Sequence, residues 1–102
     1  MKILITDSFS RKSFDVYNII KNSFSKEQII LTSDGGRVPS QIIYFKNIQQ
    51  LRNSSFEIFC QDLLKISNSF LNEEIIFIPV NEDKISLFYQ FIEKYGVLNF
   101  KY

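Results

Sequence analysis

Short apolar runs alternate with amphipathic segments along the whole chain, and this alternation limits the folds that are open to it. The first run, Ile3-Leu4-Ile5, breaks into a polar turn that leads into an amphipathic segment over 13–24. Further apolar runs are found at 28–33, 42–45 and 75–80. Strands separated by helices pair in parallel through right-handed crossovers. We therefore expect an α/β protein, a three-layer α/β/α sandwich of the Rossmann-like type, whose parallel sheet has four or five strands in the order 3-2-1-4.

Apolar residues at helical spacing mark the segments that cover this sheet. The stripe of the first helix is made of Val16, Ile19, Ile20 and Phe24. A capping box of Ser54 and Glu57 is expected to begin the second helix. The stripe of the second helix is made of Phe56, Phe59, Cys60, Leu63, Leu64, Ser67, Phe70 and Leu71.

The third helix follows the last long apolar run. Asn81 is expected to cap it, the acids Glu82 and Asp83 suit its first turn, and Gly96 is expected to end it. Its buried side is predicted to consist of Ile85, Phe88, Ile92 and Tyr95. Residues 46–53 predict a loop or one short helical turn, and 97–102 could begin a fifth strand.

Composition excludes several classes of function. The chain has 102 residues, enough for one domain, and a net charge of +1 without blocks of like charge. It therefore predicts neither a nucleic-acid partner nor a membrane partner, and no apolar run approaches the roughly 20 residues of a membrane helix. One cysteine excludes an internal disulfide. We expect a cytoplasmic protein.

Polar residues at the carboxyl ends of the predicted strands are the candidate ligand contacts, because ligands of open α/β sheets bind there. Ser10 and Arg11, in the first turn, could bind a phosphate or a carboxylate; alternatively Ser10 caps the helix and Arg11 points to solvent. Asp34 stands where dinucleotide folds place a ribose-binding acid, or it belongs to an ordinary Asp-Gly turn. Residues 81–83 either face the first turn across a crevice or act only as helix caps.

The residues for catalysis are missing. The chain has no histidine, which removes most general-base arrangements and most zinc sites. It has no Gly-x-x-x-x-Gly-Lys-Ser/Thr loop for phosphates. Cys60 lies on an apolar stripe and is interpreted as a core thiol. We expect the domain to be non-catalytic by itself.

Two segments resemble the N-terminal domain of ATP-grasp ligases, especially those of the carbamoyl-phosphate-synthase-like group. The first is residues 1–7 with Ser10-Arg11-Lys12, which is similar to the family's first strand and its turn ending in Ser-Arg-Lys. The second is 76–83, which looks like the family's Leu-Ile-Pro-Thr-x-Asp-Glu segment, and Ser33-Asp34 also fits. The first turn departs from the family because it lacks glycines.

The resemblance covers nearly the whole chain, 1–102, but only the family's pre-ATP-grasp domain. It implies a parent enzyme that phosphorylates a carboxylate with ATP and joins the acyl phosphate to an amine or ammonia. ATP and magnesium would be bound by two later lobes, supplied in cis or by an adjacent gene, and not by this chain. The chain is then the N-terminal part of a longer protein. By this analogy Ser10, Arg11 and 81–83 line the site of the small-molecule acceptor.

Two alternatives stay open beside this interpretation. The chain could be a stand-alone Rossmann-like or flavodoxin-like module that binds a small anionic ligand or a partner protein. It could also be an interaction scaffold that forms a homodimer through the apolar segment 97–102, because an open strand edge invites pairing. Reading the gene beyond Tyr102, calorimetry against small anions and light scattering distinguish the three.

Overall fold

The computed structural model describes residues 1–6, 11–25, 27–34 and 48–102, with backbone only for 11–14. Eight elements follow one another in these residues: β1 (Lys2–Ile5), α1 (Arg11–Ile20), β2 (Ile29–Ser33), β3 (Ile48–Gln50), α2 (Phe56–Ser69), β4 (Ile75–Ile78), α3 (Glu82–Tyr95) and β5 (Phe100–Lys101). The strands form one sheet in the order β3-β2-β1-β4-β5, and every pairing is parallel. The predicted α/β architecture is confirmed, and so is the fifth strand.

Alternation along the central strand separates two apolar layers. Ile3 and Ile5 pack on one face of the sheet with Val16 and Ile20 of α1. Leu4 points to the other face, where it joins the buried side chains of α2 and α3. Because successive side chains of a strand point to opposite faces, a strand buried on both sides is apolar wherever a side chain has no hydrogen-bond partner. This explains the unbroken apolar run of β1.

Aromatic rings fill the layer beneath α3. Phe77 of β4 stacks on Phe88 of α3 with 3.9 Å between ring centroids. Phe100 of β5 meets both rings edge-on, at 6.4 Å from Phe77 and 5.8 Å from Phe88. Such pairs stabilise a fold by about 0.5–1.5 kcal/mol beyond the contribution of the apolar area that they bury. They hold the two-residue strand β5 in the sheet.

The expected stripe of α3 is correct in part. Phe88 is buried and Ile92 packs against the core as expected, whereas Ile85 and Tyr95 are exposed by more than a third. Lys84 and Phe91 are also buried. Each of them precedes an expected position by one residue, about 100° around the helix, so the buried side is rotated toward them. The spacing pointed to Ile85 because a lysine is rarely fully buried.

The stripe of α1 also differs from the expectation. The helix ends at Ile20 rather than at 24, and Phe24 packs on the sheet from the turn that follows. Ile19 is 77% exposed. Tyr17, which was not expected in the stripe, packs against the sheet.

The expected stripe of α2 is mostly correct. It fails at Leu71, which lies beyond the end of the helix and is exposed. The buried side also includes Asp62 and Ile66.

The expected caps need correction as well. Ser55, not Ser54, is the N-cap of α2, and its hydroxyl accepts a hydrogen bond from Ile58 N at 3.2 Å. The capping box with Glu57 is therefore wrong, because that acid lies at the second helical position instead of the third. Gly96 ends α3 as predicted, with a positive φ of 85°.

Strand β3 was not predicted. Residues 48–50 pair in parallel with β2, and Leu51 N continues the ladder to Ser33 O at 2.8 Å, where a loop or a helical turn was expected. Polar Gln49 and Gln50 suit this position because β3 lies at one edge of the described sheet. The strand expected at 42–45 lies outside the described residues.

Asn99 fixes the carboxyl end of α2 to the segment before β5. Its Nδ2 donates to Ser67 O, Phe70 O and Glu73 O at 3.0–3.3 Å, and the Ser67 hydroxyl donates to its Oδ1. The last carbonyls of a helix have no partner within it. The amide of Asn99 therefore supplies a hydrogen-bond donor to carbonyls at the end of α2 and in the turn that follows it.

Replacing Asn99 with Asp should destabilise the fold more than replacing it with Ala. Asn99→Asp places a carboxylate against three carbonyl oxygens, whereas Asn99→Ala only leaves them without this donor. We expect losses of about 1–3 kcal/mol in the free energy of unfolding for Asn99→Ala and more for Asn99→Asp, measured by urea denaturation. Asn72→Ala, at a nearby exposed position, is the control, and equal midpoints for all variants would contradict the capping role.

Candidate functional site

The carboxyl ends of β1 and β4 are joined by the side chain of Thr6. Its Oγ1 accepts a hydrogen bond from Val80 N at 2.8 Å, and its backbone N donates to Ile78 O at 3.2 Å. Thr6 is fully buried. The chain leaves β1 toward α1 on one face of the sheet and leaves β4 toward α3 on the other. This is the topological switch point, where open α/β sheets form a crevice for ligands. We call the carboxyl ends of β1, β2 and β4 the rim.

Three of the predicted site residues stand together where α3 begins. Asn81 is half-buried, and Glu82 and Asp83 are exposed. Among the described residues, the Asn81 side chain makes no capping hydrogen bond to α3, although its carbonyl accepts from Lys84 N and Ile85 N. Its position as N-cap is thus confirmed, but capping does not explain the amide side chain.

Asp83 has a structural partner. Its Oδ2 accepts a hydrogen bond from Asn53 Nδ2 at 2.8 Å. This bond ties the start of α3 to the segment that enters α2. Glu82 is therefore better placed than Asp83 to contact a ligand.

Of the other predicted residues, the structure describes Asp34 and the backbone of Arg11. Asp34 follows β2 as an exposed residue, and β2 is separated from β4 by one strand, about 10 Å between strand axes. Arg11 begins α1, and its side chain is outside the description, as is the whole of Ser10. The rim therefore holds Asp34 on one side of β1 and 81–83 on the other.

Lys84 is a rim residue that sequence reasoning missed. It lies in the first turn of α3, and none of its surface is exposed. Lysine is almost never fully buried unless its charge is compensated, so this position is unusual for its residue type. Its spacing of four and seven residues from Phe88 and Phe91 was the signal that could have found it.

A second polar group surrounds Arg52, which follows β3. Asp62 of α2 accepts hydrogen bonds from Arg52 Nε, Nη2 and backbone N, each at 2.9 Å. Burial raises the pKa of the Asp62 carboxyl, but the hydrogen bonds from Arg52 and the charges of Arg52 and Lys65 outweigh it, so the pKa lies below its usual value. This pair fastens β3 to α2.

The remaining chemistry of the described residues is sparse. Cys60 is buried, and burial raises the pKa of its thiol more than the charge of Lys94 lowers it. This is typical of an inert core thiol. Within residues 1–6, 11–25, 27–34 and 48–102, no group of three His, Cys, Asp or Glu side chains could hold a metal ion. None of the described helices has the length and apolar character needed to cross a bilayer.

Comparison with known proteins leaves the family open. No protein-family model, no curated protein and no solved structure matches this chain. The geometry of the rim and the sequence motifs near it are therefore the basis for proposing a function.

Stability should depend on pH through Asp62. A carboxyl whose pKa is lowered in the folded state stabilises the fold above its unfolded value of about 3.9, and this contribution is lost as the pH falls through the folded pKa. We expect Asp62→Asn to lower the free energy of unfolding by about 1–3 kcal/mol at neutral pH, with a smaller difference from wild type in acid. Urea denaturation at both pH values tests this, with Glu93→Gln as the exposed control. A difference that does not change with pH would contradict it.

Proposed function

We propose that this chain is the N-terminal, substrate-side domain of an ATP-dependent carboxylate–amine ligase of the ATP-grasp type, carbamoyl-phosphate-synthase-like. The observation that carries the proposal is the hydrogen bond from Val80 N to Thr6 Oγ1. It joins the ends of the two segments in which the family resemblance lies. Thr6 and Val80 are 74 residues apart in the chain, and each lies in one of these two segments.

The charges of the rim support an amine-bearing acceptor. Asp34 and Glu82 are exposed carboxylates that follow β2 and β4, the two strands on either side of β1. Carboxylates accept hydrogen bonds from an ammonium group. Asn81 adds an amide that both donates and accepts. These residues bind and orient the acceptor, with Ser10 and Arg11 completing the same wall of the site.

Chemistry in this proposal belongs to the partner lobes. ATP and Mg²⁺ are held there, in cis or by the product of an adjacent gene, and supply phosphoryl transfer to the carboxylate. The chain contains no histidine that could serve as a general base. The role left to it is to position one substrate against the reacting acyl phosphate, and positioning alone accelerates such reactions strongly. A cytoplasmic location follows from the use of ATP.

A second candidate function is a stand-alone module for a small anion or for a partner protein. The observation that favours an anion is that α1 and α3 both begin at the rim. Helix N-termini present amide groups and a partial positive charge. In this alternative the domain needs no catalytic lobes.

The ligase proposal is tested on the gene product together with any ATP-binding lobes encoded beyond Tyr102 or beside the gene. We expect ADP formation that requires both a carboxylate and an amine. Glu82→Gln should raise KM for the amine about tenfold, equivalent to about 1.4 kcal/mol, with kcat little changed. Glu74→Gln is the matched control, because Glu74 is an exposed acid at the opposite, amino end of β4.

Two results would overturn this assignment. One is a genome in which neither the same reading frame nor its neighbours encode such lobes. The other is ADP formation that Glu82→Gln and Glu74→Gln affect equally. Calorimetry of the 102-residue chain with phosphate, nucleotides and amino acids then decides for or against the stand-alone module.

A further inference from the structure

A polar cavity of about 420 Å³ lies between the edge strand β3 and helix α2. None of the residues that line it is among those described at the rim. Its lining is made of Ile48, Gln49, Gln50, Arg52, Gln61, Asp62 and Lys65. Ligand cavities typically have volumes of about 300–1,000 Å³. This cavity is therefore large enough for a small polar metabolite.

The guanidinium of Arg52 is held in a fixed orientation in this cavity. Asp62, itself almost fully buried, accepts from Nε and Nη2. A guanidinium has five N–H donors in a planar fork, so the hydrogen bonds to Asp62 leave others for a ligand. The Arg52 side chain remains 39% exposed. An arginine fixed by a buried acid is preorganised, and preorganisation lowers the entropic cost of binding.

Lys65 supplies a second positive charge on the same wall. It is exposed on α2, and it is close enough to Asp62 to lower the pKa of that carboxyl. Since Arg52 already neutralises Asp62, the lining has a net charge of +1 from Arg52, Lys65 and Asp62 (two positive, one negative). The cavity therefore attracts an anion.

Amide groups line the rest of the cavity. The side chains of Gln49, Gln50 and Gln61 offer both donors and acceptors. Leu51 N points toward β2, where it donates to Ser33 O, and adjacent residues of a strand direct their backbone groups to opposite edges. The backbone N–H of Gln50 is therefore directed away from β2, to the outer edge of the described sheet. A ligand with hydroxyl or amide groups beside its anion matches this lining.

We propose that this cavity binds the phosphate group of a small phosphorylated metabolite. Arg52 and Lys65 contact the phosphate oxygens, and the glutamines contact the polar remainder of the molecule. Phosphate fits better than carboxylate because it presents three acceptor oxygens, enough for both the fixed guanidinium of Arg52 and the mobile ammonium of Lys65. The site does not depend on the proposed function at the rim, because the two share none of these residues.

The probes are O-phosphoserine, serine and succinate, titrated into the isotope-labelled chain while amide resonances are followed by NMR. O-Phosphoserine should shift the resonances of Gln49, Gln50 and Lys65 at concentrations up to about 10 mM, where binding in the millimolar range is visible. Serine, which lacks the phosphate, should not shift them. Equal shifts by succinate would reassign the site to carboxylates and overturn the proposal, and so would the absence of shifts with O-phosphoserine.

Variants locate the binding. Lys65→Gln removes a charge from an exposed position and should raise the Kd for O-phosphoserine about five- to tenfold. Lys21→Gln removes the same charge after α1, on the other face of the sheet, and should leave the Kd unchanged. Equal effects of the two variants would mean non-specific attraction and would contradict the site.

Arg52→Lys separates the fixed fork from its charge. It keeps the cation but loses the planar donor geometry, so the Kd should rise by at least as much as for Lys65→Gln. If Arg52→Lys does not fold, the Lys65→Gln and Lys21→Gln pair decides. Asn81→Ala at the rim should not alter the titration, and an effect there would show that the phosphate binds at the rim instead.

Discussion

The central position of β1 in a parallel sheet is the constraint on which the rest of the molecule depends. With β2 on one side and β4 on the other, every residue from Ile3 to Thr6 is buried. A strand in this position can end only where its polar groups find partners. Thr6 provides such partners through its hydrogen bonds to Ile78 and Val80. The helices that follow β1 and β4 lie on opposite faces of the sheet. The position of the switch point is thus a consequence of how the central strand ends.

Most of the fold could be predicted from the sequence because the buried strands contain short unbroken apolar runs and the helices are amphipathic. The prediction was wrong where two physical demands gave similar patterns. Ile85 and Tyr95 have the same helical spacing as the stripe that α3 actually buries. Strand β3 has two glutamines, because an edge strand needs fewer apolar side chains, and the pattern of a buried strand is then absent.

The candidate site was predictable only in part. Asn81, Glu82 and Asp83 could be placed at the rim because the topology puts strand ends there. Lys84 was missed because a lysine is rarely fully buried, although its spacing from Phe88 and Phe91 fits the buried side of α3. The bonds between Arg52 and Asp62 depend on how β3 and α2 pack, and nothing local in the sequence marks those residues as partners.

The two apolar layers differ in the kind of side chain that the described residues contribute. The layer under α2 and α3 contains five buried phenylalanines, namely Phe59, Phe77, Phe88, Phe91 and Phe100, whereas the buried side chains that the sheet contributes under α1 are aliphatic. Phe88 meets Phe77, Phe91 and Phe100, so α3, β4 and β5 share one set of ring contacts. Elements joined in this way open together as one cooperative unit rather than one by one.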